Sequence, residues 1–170
     1  MLKACESHPY RNHLQPFLIF LLDTGCRKSE AIKLRWQSVN LKSRIITIEG
    51  MTTKTLKTRQ VMITQRLVSE LEKLRRLPTF NPEGTVFQIK SNVRNSFASI
   101  CEIAGVKHGG IDGITLHSLR HTCASRLVQK GMNPQMAGRL LGHSQPQTTY
   151  RYLSADMETM QQAASILENL

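Results

Sequence analysis

Side chains that suit phosphate chemistry are crowded into the last third of the chain. Residues 117–121 contain an arginine between two histidines, a third histidine is His143, and two tyrosines follow at Tyr150 and Tyr152. Guanidinium groups bind phosphate oxygens through paired hydrogen bonds, imidazoles transfer protons near neutral pH, and a deprotonated phenol is a nucleophile. This combination predicts chemistry on a phosphate ester.

The first cluster is predicted to lie on one helix, which begins after the capping residue Thr115 and runs to Lys130. At helical spacing, His117, Arg120 and His121 share an arc beside the apolar stripe, so their side chains emerge together. The stripe consists of Leu116, Leu119, Cys123 and Leu127. The plainer alternative is a surface helix with solvated charges.

A metal site on this helix is disfavoured. His117 and His121 have the i, i+4 spacing of a zinc-binding helix, but the residues between them are Ser-Leu-Arg. The metalloprotease pattern requires a glutamate at the second position, and the cationic Arg120 is unfavourable beside a divalent ion. We therefore predict no metal.

Net charge points to a polyanionic partner. The chain carries a net charge of +11, with Lys and Arg concentrated between residues 27 and 76 and an acidic segment over 156–170. Nucleic acid is the commonest partner of such a basic domain, although ribosomal, membrane-surface and heparin-binding proteins share this charge.

The composition also excludes several classes of protein. The four cysteines have no paired spacing, which argues against a disulfide framework or a zinc knuckle. No apolar run approaches the roughly 20 residues needed to cross a bilayer. We expect a cytoplasmic protein with no membrane partner.

Elements that must position the cluster can be predicted from periodicity. An apolar helix over 16–22 ends near Gly25, a short helix covers 27–34, and 36–42 is a turn region. β-Branched runs over 44–48 and 59–63 form an antiparallel hairpin whose connection carries lysines. Further helices are predicted over 65–77, 92–104, 115–130, 133–142, 144–153 and from 156 onward. The sum is a single domain over 1–170, mainly α with a small antiparallel β-sheet.

Five stretches form a recognisable set along almost the whole chain. They are Thr-Gly-Cys-Arg-Lys-Ser-Glu at 24–30, Thr-Lys-Thr at 53–55, His-Ser-Leu-Arg-His-Thr at 117–122, Leu-Leu-Gly-His-Ser at 140–144 and Thr-Thr-Tyr-Arg-Tyr at 148–152. In these stretches and in their order, the sequence resembles a known family, the tyrosine recombinases or phage-type integrases, in their C-terminal catalytic domain. The resemblance implies that family's catalytic-domain fold.

The resemblance implies a catalytic set with defined roles. Arg27 and Arg120 would bind the phosphate, and Lys54 would protonate the leaving 5′-oxygen, while two histidines assist proton transfer and hold the phosphate. Glu30 would anchor the helix of the first arginine, and His121 would have a supporting role. The full catalytic set is Arg27, Lys54, His117, Arg120, His143 and Tyr152.

Two of these assignments have a close competitor. Tyr152 follows His143 by nine residues, as the family's nucleophile typically does, whereas Tyr150 would point to a different face of a helix. Lys57 lies in the same connection as Lys54 and is the alternative general acid. Six further basic residues would contact DNA phosphates or be merely solvated. They are Lys28, Arg35, Lys57, Arg59, Arg139 and Arg151.

The resemblance implies a site-specific DNA recombinase, or integrase, in the bacterial cytoplasm. A phage, another mobile or integrative element and a chromosome-maintenance system are all open as its source. Strand cleavage and rejoining would pass through a 3′-phosphotyrosine without metal or other cofactor. Double-stranded DNA and other protomers, as a tetramer on DNA, would be the partners. The 156–170 helix would pack on its own domain or be exchanged between protomers, and the family's N-terminal core-binding domain is expected to be absent.

Two rival functions remain open at this stage. A type IB topoisomerase-like relaxing enzyme shares the chemistry and differs in its products. A non-catalytic DNA-binding module could use residues 133–152 as a helix-turn-helix, but it would leave Arg27, Lys54, His117 and Arg120 unexplained as a set.

Overall fold

The computed structural model describes residues 1–7, 11–50, 58–89 and 93–142. This part of the chain forms six α-helices and one antiparallel sheet, with two short 3₁₀ helices at Lys3–Ser7 and Trp36–Ser38. In chain order the elements are α1 (Arg11–Thr24), α2 (Lys28–Lys33), β1 (Val39–Asn40), β2 (Ile45–Ile48), β3 (Arg59–Met62), α3 (Gln65–Arg75), α4 (Val93–Ile103), α5 (Leu116–Gln129) and α6 (Pro134–Leu141).

Helix α1 is the centre of the hydrophobic core because apolar residues surround most of its axis. Phe17, Leu18 and Phe20 are fully buried, and α1 packs against α3 and α5. Phe87 contacts both α1 phenylalanines, with ring centroids 5.5 Å and 5.3 Å apart. A helix that is apolar nearly all round is stable only in such a buried position.

The sheet has the order β1-β2-β3, and both pairs are antiparallel. Ile46 lies opposite Val61 and Ile48 lies opposite Arg59. Side chains alternate between the two faces of a strand, so Arg59 shares its face with the buried Val61. The sheet thus directs an arginine toward the interior.

The C-terminal end of α1 packs between α5 and α6. Gly25 has φ +61°, a left-handed conformation that closes α1, and a Cβ at this position would overlap the Leu141 side chain and approach Cys123 Sγ. Only glycine allows this turn and this close approach together. The backbone of residues 25–27 is therefore held directly against α5 and α6.

The predicted fold class is confirmed, with one addition to the sheet. The hairpin forms as expected, but Val39 and Asn40, predicted to lie in a turn region, add a third strand by pairing with Ile46 and Ile45. The Thr115 cap is observed, its hydroxyl accepting hydrogen bonds from the His117 and Ser118 amides. Across the described residues, no helix combines the length and apolarity that crossing a membrane requires.

Candidate active site

The first arginine of the site stands at the N-cap of α2. Its backbone amide donates to Glu30 Oε2 at 2.8 Å, and its side-chain Nη1 donates to Glu30 Oε1 at 3.0 Å. Arg27 Nη2 reaches across the fold to donate to the Gly142 carbonyl at 2.9 Å. Arg27 therefore joins the start of α2 to the end of α6.

Glu30 is the buried counterion of two arginines. Its side chain has no exposed surface, and it also accepts Arg59 Nη1 at 3.1 Å and Arg59 Nη2 at 2.7 Å. Burial alone would raise the pKa of this carboxyl, but the hydrogen bonds from Arg59 and Arg27 hold it below its ordinary value. We name Glu30, Arg27 and Arg59 the Glu30 network.

The second arginine, Arg120, is buried on α5 with only 3% of its surface exposed. Its Nη1 donates to the Gly25 carbonyl at 2.6 Å, whereas the buried Nη2 has no hydrogen-bond partner among the described residues. Burial, followed by the positive charge of Arg27, lowers the pKa of Arg120 to about 10. A buried guanidinium with an uncommitted donor is poised to bind an anion.

His117 and His121 lie one turn apart on α5, with ring centroids 4.7 Å apart in an edge-to-face arrangement. Partial burial lowers the pKa of His117, with smaller effects from His121 and from the two arginines of the site. His117 is therefore predominantly neutral at pH 7, a state in which an imidazole can accept a proton.

A cleft of about 670 Å³ opens beside these residues, between α4 and the N-terminal part of α5. His117 and Arg120 line one part of it, and Lys28, Arg94 and His108 line other parts. The lining is thus rich in cationic and imidazole groups. Such a concave basic surface concentrates anions.

The structure brings together Arg27, Glu30, His117, Arg120 and His121, although they come from two distant segments. The predicted Lys54, Lys57, His143, Arg151 and Tyr152, and the competing Tyr150, lie outside the described residues. Within the described ranges, no cluster of three or more His, Cys, Asp or Glu could hold a metal ion.

The described members of the predicted DNA-contacting group have different surroundings. Lys28 lines the cleft, Arg139 is exposed on α6, and Arg35 donates to the Glu83 carbonyl at 3.0 Å. Arg59 differs from these three, because its guanidinium is paired with a buried carboxylate and its side chain is only 13% exposed.

Sequence reasoning gave Arg59 a different role and passed over Arg94. It did not foresee the Arg59–Glu30 pair, although alternation along β3 puts Arg59 on the same face as Val61. It also passed over Arg94, which lines the cleft. The signal for Arg94 was present, since the buried face of α4 contains Val93 and Phe97 and leaves Arg94 exposed.

The chain is similar in sequence to known recombinases. The sequence profile of the phage integrase family matches residues 1–159. The chain is 29% identical over 159 residues to the tyrosine recombinase XerA of Pyrococcus furiosus, covering 90% of this chain and 55% of that protein. It is 32% identical over 148 residues to a tyrosine recombinase of Pseudothermotoga lettingae, covering 84% and 49%. The chain thus spans about half the length of these relatives.

Solved structures share the fold. The catalytic domain of bacteriophage HP1 integrase superposes with a TM-score of 0.72 at 27% identity, covering 96% of this chain and 87% of that one. XerA recombinase superposes with a TM-score of 0.77 at 21% identity, covering 96% and 60%. The Tn1549 transposon integrase in complex with circular intermediate DNA gives 0.74 at 19% identity, covering 98% and 63%.

Proposed function

Because the chain belongs to the phage integrase family, we propose that it is the catalytic domain of a site-specific DNA recombinase that cuts and rejoins strands through a 3′-phosphotyrosine. The observation that carries this proposal is the buried Arg120, whose Nη2 is uncommitted among the described residues, beside Arg27 and the neutral His117. These are groups that a phosphodiester needs as negative charge develops on its oxygens.

The two arginines bind the scissile phosphate and stabilise the transition state. Arg120 is fixed by the Gly25 carbonyl and Arg27 by Glu30, so neither guanidinium has to reorganise when the phosphate arrives. Preorganised donors of this kind are worth more in a partly buried site than in water. Binding the dianionic transition state also offsets the unfavourable burial of the Arg120 charge.

The covalent step exchanges one phosphodiester for another. The Tyr152 phenol gives its proton to a histidine of the site, its oxygen attacks phosphorus, and the bond from phosphorus to the 5′-oxygen breaks. The 5′-oxygen takes a proton from Lys54 and leaves as a hydroxyl, while the 3′-phosphate stays on Tyr152. A 5′-hydroxyl of a partner strand then reverses the sequence, so the reaction needs no external energy source. His117 and His143 assist the proton transfers.

The partners in this proposal are double-stranded DNA and further copies of the recombinase, with four protomers on a pair of DNA sites. The acidic 156–170 segment docks on a neighbouring protomer and couples assembly to cleavage. The reaction takes place in the bacterial cytoplasm, on the DNA of a phage or other mobile element. Solved relatives support DNA as the substrate, since the Tn1549 integrase and XerH were determined bound to DNA.

The test captures the covalent intermediate from a pool of random target sequences. A library of duplexes, each with a nick and a randomised stretch, is incubated with the chain alone and with the chain joined to the N-terminal half of the Pyrococcus furiosus XerA. A nick traps the enzyme because the short cleaved strand diffuses away. DNA that stays attached to protein under denaturing conditions is recovered and sequenced.

We expect an enriched sequence attached to the protein through its 3′ side, lost in Tyr152→Phe and kept in Tyr150→Phe. Absence of covalent DNA from both proteins would refute the proposal. Captured DNA that is attached through its 5′ side would also contradict it, because the chemistry above leaves the 3′-phosphate on the enzyme. Relaxation of supercoiled plasmid without exchanged products would favour the topoisomerase-like alternative.

A further inference from the structure

Gly142, the last described residue before His143, is held from two sides by the Glu30 network. Arg27 Nη2 donates to its carbonyl at 2.9 Å. On the other side, a Cβ at Gly142 would stand only 3.1 Å from Arg59 Cζ and 3.2 Å from Arg59 Nε and Nη1. The Arg59 guanidinium therefore packs directly on the Gly142 backbone, which has φ +72°.

One carboxylate fixes both of these arginines. Glu30 Oε1 accepts from Arg27 and Arg59 at 3.0 Å and 3.1 Å, and Oε2 accepts from Arg59 at 2.7 Å. A bidentate guanidinium–carboxylate pair defines an orientation as well as a distance. The position of Gly142 is thus set by two side chains, one at the N-cap of α2 and one on β3.

We propose that Arg59 is a positioning residue, which clamps Gly142 against Arg27 and so fixes the backbone that immediately precedes His143 in the sequence. This inference rests on the proposed function for its catalytic consequence, but the clamp itself is a property of the folded chain. Arg59 also begins the strand that follows the connection containing Lys54. Arg59 therefore lies close in sequence to Lys54, and its guanidinium contacts Gly142, the residue before His143.

A direct DNA contact, the role predicted for Arg59 from sequence, fits these surroundings less well. Both terminal nitrogens of Arg59 bond the two carboxylate oxygens of Glu30, whereas the Arg27 side chain bonds Glu30 through Nη1 alone. Burial alone would lower the pKa of Arg59, but the Glu30 carboxylate raises it above its ordinary value. The Arg59 guanidinium is therefore permanently charged, and its partner is the buried Glu30 carboxylate.

The clamp can be observed without DNA because Gly142–His143 is the single Gly-His pair in the sequence. In protein labelled with carbonyl ¹³C in glycine and ¹⁵N in histidine, an HNCO spectrum contains one peak, from the Gly142 carbonyl and the His143 amide. We expect Arg59→Gln and Arg59→Lys to move this peak by more than its linewidth. Arg76→Gln, which removes an exposed arginine at the end of α3, should leave it in place.

The catalytic consequence is measured by single-turnover formation of covalent DNA on the captured target. At saturating DNA, we expect Arg59→Gln to slow adduct formation by about 10²-fold, the effect of displacing a reacting group by about an ångström. Its affinity for duplex DNA should stay within about twofold of the wild type and its salt dependence should be unchanged, since no phosphate contact is lost.

Arg59→Lys separates the two roles because it keeps the charge but cannot form the planar pair with Glu30. A lysine at a phosphate contact would retain most of the activity, whereas a lysine in the clamp should be nearly as slow as Arg59→Gln. Thermal unfolding of each variant establishes that the protein is folded at the assay temperature.

Three results would overturn the inference. The first is an HNCO peak that does not move in either variant. The second is a wild-type rate at saturating DNA with weakened affinity and a salt slope reduced by about 1, the signature of a lost phosphate contact. The third is wild-type activity in Arg59→Lys. If the wild type forms no adduct, the proposed function fails, and the HNCO spectrum still decides whether the clamp exists.

Discussion

Replacing Glu30 by glutamine should remove the anion on which the cationic site is built. The variant keeps the shape of the side chain but leaves Arg27, Arg59 and Arg120 close together without a buried counterion. The amide group of glutamine can also accept fewer of the hydrogen bonds that the two carboxylate oxygens now accept from Arg27 and Arg59.

The expected loss of stability follows from the burial of the pair. Removing one partner of a buried ion pair costs about 3 to 5 kcal/mol. The lower end applies here, because the side chains of Arg27 and Arg59 keep 22% and 13% of their exposure and retain some solvation. We therefore expect about 3 kcal/mol, which for a chain of this size lowers Tm by about 6 to 12 °C.

The pH dependence gives an independent check. Glu30 has a pKa below its ordinary value of 4.5 in the folded protein, so between the two values the unfolded chain binds more protons. Its contribution to stability is complete above pH 4.5 and is lost as the pH falls through the folded pKa. Glu30→Gln should lack this component of acid destabilisation.

Urea unfolding of the wild type and the variant, from pH 7 downward, measures both effects. Glu70→Gln is the matched control, because its i, i+3 pair with Lys73 lies at the surface, where Lys73 is 69% exposed. The control should lose only about 0.5 kcal/mol. A loss below about 1 kcal/mol in Glu30→Gln at pH 7, or an acid limb identical to that of the wild type, would refute the counterion role.

Three further predictions concern the surroundings of the arginines. Inorganic phosphate should raise Tm of the wild type and not of Arg120→Met, since the anion offsets the buried charge; equal increases in thermal shift assays would contradict this. Gly25→Ala should lower the free energy of unfolding by about 2 to 4 kcal/mol in chemical unfolding, because left-handed backbone strain adds to the overlap with Leu141. Gly110→Ala, where φ is +63° and the added Cβ meets open space, should lower it by only about 1 to 2 kcal/mol. In NMR titrations His117 should have a midpoint below 6.5 that rises in Arg120→Met, and an unchanged midpoint would exclude that electrostatic contribution.

Periodicity predicted the part of the site that lies on one helix. The stripe formed by Leu116, Leu119 and Cys123 is buried, and Thr115 caps the helix. His117 and Arg120 therefore had to leave the helix on one face, next to this stripe. Local spacing determines this result, because a helix fixes the angle between its residues independently of the rest of the fold.

Contacts between distant segments were beyond sequence reasoning. The Gly25 carbonyl that holds Arg120 is 95 residues away in sequence, and the Gly142 carbonyl that holds Arg27 is 115 residues away. Neither partner has a side chain that could mark it as part of a site. Only the packing of α1 against α5 and α6 brings these backbone groups within reach.

Arg59 illustrates why residue type alone was insufficient. A basic residue in a basic chain suggests a DNA contact, and Arg59 was therefore predicted, with Lys57, to contact DNA phosphates. The alternation of β3 instead directs it inward, toward Glu30. The short β1 was missed for a related reason, since a two-residue strand is too short to show alternation and depends on its partner Ile46.

The most direct test of the central claim is to locate the covalent bond by mass spectrometry. Arg151 lies between the two tyrosines, so trypsin separates Tyr150, in peptide 140–151, from Tyr152, in peptide 152–170. The captured complex is trimmed with nuclease, digested and fragmented. A phosphate or nucleotide remnant on Tyr152 is the predicted result. A remnant on Tyr150 or on any other residue, or no remnant at all, would contradict the assignment of the nucleophile.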